Sequence, residues 1–287
     1  MDGILLLDKP AGLTSHDVVS RLRKLLGMRA IGHAGTLDPQ ATGLLVVALG
    51  SATRWLPYLP SGKRYRATLR LGLATDTEDI WGRETGADAA PPPDPEAYTQ
   101  ALLGLARLTE QVPPMVSALK QDGRKLYELA REGVTVERKA RPMAISAVRV
   151  LALRGQEADF EVDCGGGTYV RSLCVEAGRS LGRPACMAAL RRLRSGNFTL
   201  DRALPQERWQ ATDLAAALMD SSVALAHLPE KALDEAEASD VGHGRDVAAP
   251  TAQAGTWRLT HLGRLLALAE SDPAKEGRLR PRRVFQV

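Results

Sequence analysis

Apolar and polar positions follow one another along this chain with periods that separate strands from helices. Ile4 to Leu7 and Leu44 to Leu49 are unbroken apolar runs of strand length, and Tyr65 to Leu71 alternates in strand fashion before stopping at Gly72. Asp17 to Leu26 reads as a helix, with Thr14, Ser15 or Asp17 available as its cap. Ala87 to Pro95, interrupted by Pro91, Pro92 and Pro93, reads as a loop, after which Glu96 to Leu108 returns to a helical pattern. Phe160 to Cys164 reads as a strand, Gly165, Gly166 and Gly167 as a tight turn, and Val170 to Ser180 as a helix or a strand-to-helix passage. No internal repeat or low-complexity run is present.

Two regions break this rhythm. Residues 111–150 hold eight Lys or Arg against four Asp or Glu, punctuated by Pro-Pro and Gly, which predicts a protruding basic element and not a core one. Further on, Leu228, Pro229 and the acidic, Ala-rich run to Asp240 read as a linker. Beyond it lie Gly242, Gly244, a strand-like Thr256 to Leu259, Gly263, the apolar Leu265 to Leu268 and an arginine-rich ending from Arg278 to Phe285. Short strands joined by glycine turns predict a small β-barrel. The expected organisation is one large domain over 1–228 and a small one over 229–287.

Composition narrows the setting. At 287 residues and 44% hydrophobic positions the chain can bury a core in each domain. No apolar run approaches the roughly 18 residues of a membrane span, and the opening residues do not read as a secretory signal, so a cytoplasmic protein is expected. Cys164, Cys174 and Cys186 form an odd set without Cys-x-x-Cys spacing, which points to reduced structural thiols in place of disulfides or a zinc site. A net charge of +4 is modest, so its clustering matters more than its total.

The densest chemical signal is Gly32-His33-Ala34-Gly35-Thr36-Leu37-Asp38-Pro39-Gln40-Ala41-Thr42-Gly43. Its three glycines allow backbone angles that a Cβ forbids, while Pro39 fixes its own φ and biases Asp38 toward an extended conformation. Such a loop presents one carboxylate beside a buried strand. A turn acid that bonds its own backbone is the alternative reading of Asp38. The chain has no Gly-x-x-x-x-Gly-Lys-Ser loop, no Gly-x-Gly-x-x-Gly after a strand and no His-rich metal spacing, so neither cofactor nor metal is expected.

This loop resembles the catalytic-aspartate motif of the TruB family, bacterial pseudouridine synthases that act on the T loop of tRNA. Further blocks are similar in the same order: Asp8 to Asp17, Lys63 to Gly72, Gln111 to Lys120, Leu126 to Gly133, and Gly167 to Leu173. The resemblance implies an α/β (α+β) fold with a mixed, mainly antiparallel central sheet, plus a PUA-like RNA-binding barrel at the carboxyl end. It also implies isomerisation of uridine to pseudouridine at position 55, without a cofactor, by a monomer that needs no obligate protein partner.

By the same resemblance Asp38 is the nucleophile, Arg171 its guanidinium partner and Tyr65 the ring on which a flipped uridine stacks. Tyr169 lines the pocket, Leu190 forms an apolar wall, His33 packs against the RNA, and Lys9 and Pro10 buttress the catalytic loop. The block Asp76 to Asp79 resembles a family element beside the active site and is given no chemistry. Cys186 stands where family members often have a histidine, and Gly165-Gly166 replaces a more polar pair. Phosphate contacts are expected from Lys120, Arg124, Lys125, Arg138, Lys139 and Arg141 and from Arg191, Arg192 and Arg194. Two other readings use the same groove: a noncatalytic tRNA-folding factor and a guide-dependent synthase acting on ribosomal RNA. The basic stretch at 111–150 favours the stand-alone enzyme.

A phosphate-dominated grip has a measurable consequence. Affinity for tRNA, measured by filter binding, should fall steeply with salt, each neutralised phosphate adding roughly 0.7–0.9 to the log–log slope.

Overall fold

The structure, a computed structural model, describes residues 1–117, 119–121, 123–271 and 277–285. Its centre is an eight-stranded sheet. The strands are β1 (Gly3–Lys9), β2 (Ile31–His33), β3 (Thr42–Leu49), β4 (Lys63–Leu71), β5 (Ile145–Arg154), β6 (Glu157–Cys164), β7 (Ala185–Ser195) and β8 (Phe198–Thr199). The order is β1-β3-β7-β4-β6-β5, with β2 on β3 and β8 on β7. Every pairing is antiparallel except β3 with β7, which run parallel where Thr42 meets Arg191 and Gly43 meets Arg192. The mixed, mainly antiparallel sheet is the one expected.

Three helices matter for the site: α1 (Ser15–Leu26), α2 (Pro95–Gly104) and α3 (Val170–Ser180). Of the possible caps for α1, Thr14 is the one used: its hydroxyl accepts from Asp17 N–H while the Asp17 carboxylate accepts from Thr14 N–H, a reciprocal capping box. Val18, Val19 and Leu22 of α1 are buried against β1 and β3, each side chain contributing about 1.5–3 kcal/mol. Asp94 caps α2, which ends at Gly104 and continues only as a 3₁₀ turn over Leu105–Arg107, so the expected helix to Leu108 is tighter in its last part.

The two faces of the β4–β6 ladder are chemically opposite, as a period of two demands. Tyr65, Ala67, Leu69 and Leu71 point into a core shared with α2 and α3. On the other face Arg64, Arg66 and Arg70 sit directly across from Asp163, Glu161 and Glu157 and pair with them as ions. Arg149 and Arg194 also reach Asp163.

The carboxyl-terminal residues form a separate five-stranded sheet. Its strands are β9 (Glu230–Ala232), β10 (Val247–Ala248), β11 (Thr256–His261), β12 (Arg264–Ser271) and β13 (Arg278–Val284), in the order β9-β11-β12-β13-β10. The run expected as a linker is ordered instead. Glu230–Ala232 adds parallel to β11, and Glu235–Gly242 is a helix whose Asp234 and Glu237 make a second capping box. An acidic, Ala-rich composition suits the first turns of a helix as well as it suits a linker. Phe285 packs edge-on against Trp55 of the Gly50–Tyr58 3₁₀ segment, ring centres 6.2 Å apart, tying this sheet to the central one.

Glu110–Gln111 pairs with Arg141–Pro142 and Lys120–Gln121 with Arg124–Lys125 in two-residue ladders, and Leu126–Arg131 is a short helix. Ile145 to Val150 belong to β5, at the edge of the central sheet, although the charge pattern groups them with the protruding element.

The close approach of β3 and β7 rests on Gly43. Its φ is +99°, and a Cβ there would lie 2.4 Å from the Arg192 carbonyl oxygen and 2.7 Å from its nitrogen. Gly43→Ala should therefore lower stability by about 3 kcal/mol, read as a shift in the urea midpoint.

Candidate functional site

The loop before β3 is fixed from inside, beneath and beside. Leu37 and Ala41 are buried in the core under Tyr65 and Leu190, which turns the intervening Asp38 outward. Ser15 at the start of α1 clasps Leu37, its hydroxyl accepting from Leu37 N–H at 2.8 Å. Lys9, with 0% of its surface exposed, reaches under the loop and donates to the carbonyls of Pro10 at 2.8 Å, Leu13 at 2.6 Å and Pro39 at 3.3 Å. The structure thus places Lys9 beneath the loop, with the Pro10 carbonyl among its acceptors. Burial pulls the Lys9 ammonium down to about 8, and the Asp38 charge opposes that shift.

Arg192 braces the same loop from β7. It was expected among the phosphate-binding cations, but only 1% of it is exposed. Its Nε donates to Leu44 O at 2.7 Å, Nη2 to Gly35 O at 3.1 Å and Nη1 to Thr36 O at 3.4 Å. The parallel pairing with β3 carries Arg192 inward while its neighbour Arg191 faces out, pairing with Asp8 at 2.6 Å. Adjacent basic letters in a strand face opposite sides, which composition does not reveal.

Asp38 meets Arg171, 133 residues away in the chain. Nη2 donates to Oδ1 at 3.3 Å and Nε lies 2.9 Å from Oδ2. Arg171 is 3% exposed, whereas 32% of the Asp38 side chain is open. The same guanidinium donates to Thr77 O at 2.8 Å and Val116 O at 2.9 Å and lies 3.9 Å from Asp79 Oδ2. The carboxylate is thus held across the fold, so the turn-acid reading of Asp38 gives way to that of a presented group.

Asp38 and Arg171 line a cavity of about 290 Å³ together with Tyr65, Leu190, Tyr169, Lys63 and Arg192. Burial raises the Tyr65 phenol above its ordinary range, partly offset by Arg192 beside it. Burial raises Tyr169 likewise. Tyr169 heads α3, and the Arg171 guanidinium stands 6.0 Å from its ring centre. Gln111 locks the turn before α3, accepting from Tyr169 N–H at 2.9 Å and donating to Gly167 O at 2.9 Å. Behind α3, Ser172 donates to Glu78, whose carboxyl burial pushes up and whose φ is +63°.

A match to the family described as TruB family pseudouridylate synthase (N terminal domain) covers residues 23–170, and one to Pseudouridine synthase II TruB, C-terminal, covers 229–285. A protein of Aromatoleum aromaticum named tRNA pseudouridine synthase B is 43% identical over 100% of this chain and 94% of its own length. The chain belongs to the TruB family. A protein of the same name from Geobacter sulfurreducens is 43% identical over 94% of each chain. Among solved structures, a chain in a Cbf5–Nop10–Gar1 complex superposes with a TM-score of 0.76 at 27% identity, over 99% of this chain and 85% of that one.

Against this TruB frame, the fold gathers Asp38, Arg171, Tyr65, Tyr169 and Leu190 around one cavity. His33 stands outside its lining, half-buried at the end of β2, with its imidazole held below its usual range by burial and then by Arg192. Arg124 pairs with Glu132, and Arg141 lies exposed in the Gln111 ladder. The side chains of Lys120 and Lys125 lie outside the described residues. Cys186 is buried in β7, its thiol pushed up to about 11 by burial. Sequence reasoning missed Lys63 and Gln111 as parts of the site, whereas Asp79 belongs to the block placed beside the site without a chemical role. Lys63 was accessible to it, since a residue two before Tyr65 leaves the same face of a strand.

The buried Lys9 makes a pH prediction. Its ammonium sits at about 8 in the fold against an ordinary 10.5, so between those values the unfolded chain binds more protons. Native stability should rise relative to Lys9→Met as pH increases from 8 toward 10.5, as urea midpoints at both ends of that window would show.

Proposed function

We propose that this chain is a tRNA pseudouridine synthase that isomerises the uridine at position 55 of the T loop, acting in the cytoplasm as a monomer. The observation that carries the chemistry is the one-third-exposed Asp38 carboxylate, clamped by a buried guanidinium at the edge of a cavity that also holds a tyrosine ring. The substrate assignment is supported by relatives that bear the name tRNA pseudouridine synthase B along nearly their whole length.

Uridine and pseudouridine are isomers, so the reaction consumes nothing: the bond from the sugar carbon to N1 breaks, the base turns, and C5 joins the same carbon. The proton leaves C5 and N1 gains one. A target uridine stacked in a folded loop has to leave the stack to be reached. Tyr65 gives the flipped base a flat face, Leu190 an apolar wall, and Asp38 serves as nucleophile. Arg171 keeps that carboxylate in a single orientation while the base moves. The basic stretch at 111–150 grips the T arm, which suits a synthase that finds its own substrate without a guide RNA. Recognition of that bent loop rests on shape and phosphate contacts.

The direct experiment is to measure pseudouridine at position 55 in an unmodified tRNA transcript, with purified protein, chelator and no additive. Native protein should form product while Asp38→Asn binds the tRNA and forms none. Tight binding by both proteins with no product from either would reduce the chain to an RNA-binding or folding factor.

A further inference from the structure

One wall of the cavity carries positive charge that no carboxylate among the described residues pairs with. The charged residues lining the cavity are Asp38, Lys63, Arg171 and Arg192, one acid and three bases. Asp38 is already paired with Arg171. Arg192 gives its donors to three carbonyls, all uncharged. Lys63 donates one of its three N–H groups to Ser195 Oγ at 2.7 Å, and among the described residues no carboxylate pairs with it.

The two cations converge on a gap in the wall. A methyl group placed on Gly35 would lie 3.7 Å from both Arg192 Nη1 and Lys63 Cε. Gly35 has φ +99°, and its bare α-carbon leaves that approach open. Lys63 begins β4 and is only partly buried, while Tyr65 and Ala67 on the same face are buried. Burial, and next the Arg192 charge, pull the Lys63 ammonium down to about 8, a penalty that an arriving anion would relieve.

We propose that Lys63, with the Gly35 edge beside it, is the subsite for a phosphodiester adjoining the flipped nucleotide. The inference rests on the RNA substrate proposed above. Phosphates are the fixed anions of that substrate, and swinging a base into the cavity brings its flanking backbone toward Lys63. A lysine ammonium serves such a group as a point charge. Arg192 adds to the field from behind without needing to touch the RNA.

The test uses the full-length protein and a T-arm hairpin, either all-phosphate or with a single neutral methylphosphonate linkage 5′ or 3′ of the target uridine. Lys63→Met should weaken binding about tenfold and flatten the log–log salt slope by roughly 0.7–0.9. Lys63→Arg should restore most of the affinity. One of the two neutral linkages should weaken native binding equally and leave Lys63→Met no worse.

Unchanged affinity and slope would overturn the proposal. An affinity loss that is the same on all three hairpins would overturn it as well. Should Lys63→Met fail to fold, Lys63→Gln and the neutral linkages on native protein pose the same question, and native binding indifferent to both linkages would sink it. None of these readouts requires turnover, so a failed synthase assignment would be seen separately, as absence of pseudouridine from the native protein.

Discussion

A guanidinium that water does not reach holds this molecule's parts in register. Arg171 receives Asp38 from the loop before β3, the Thr77 carbonyl and Asp79 from the turn after β4, and the Val116 carbonyl from the stretch after Gln111. Removing one partner of a buried ion pair typically costs about 3–5 kcal/mol, yet replacing such a group wholesale by apolar side chains is often neutral. Stability alone therefore does not explain why a charge sits here. What it supplies is position: three segments distant in sequence are referenced to one planar group, and the Asp38 carboxylate is one of its contacts.

The same logic extends to the loop that carries Asp38. Lys9 and Arg192 hold it from two sides, both buried, both donating mainly to backbone carbonyls. Carbonyl acceptors fix main-chain geometry without neutralising the cations. The loop is thus rigid and sits in a positive field, and a preorganised carboxylate loses little on meeting a substrate.

Most of the local structure was legible in the letters. Strands β1, β3, β4 and β6 were each seen in part, because long apolar runs or clean alternation identify them, and the α1 cap was among the residues named. β7 was invisible: Ala185–Ser195 mixes small, apolar and basic residues, and only its place between β3 and β4 makes a strand of it. The helix at Glu235–Gly242 was mistaken for linker because composition was weighed above capping. At the site, Asp38, Tyr65 and Arg171 were reached through a motif resemblance, and spacing alone would not have joined residues so far apart. Arg192 was misjudged because charge in a sequence says nothing about which side of a strand it leaves.

The late arrival of β7 also bears on how the molecule is made. Strands β3 and β4 are complete by residue 71, but the strand that lies between them ends at residue 195. A ribosome adding 5–20 residues each second takes roughly 6–25 s to cover that interval. For that time the nascent chain exposes two unfilled hydrophobic strand edges, the kind of surface that invites pairing with a stranger. The seam at the middle of the central sheet is therefore, during synthesis, an open one.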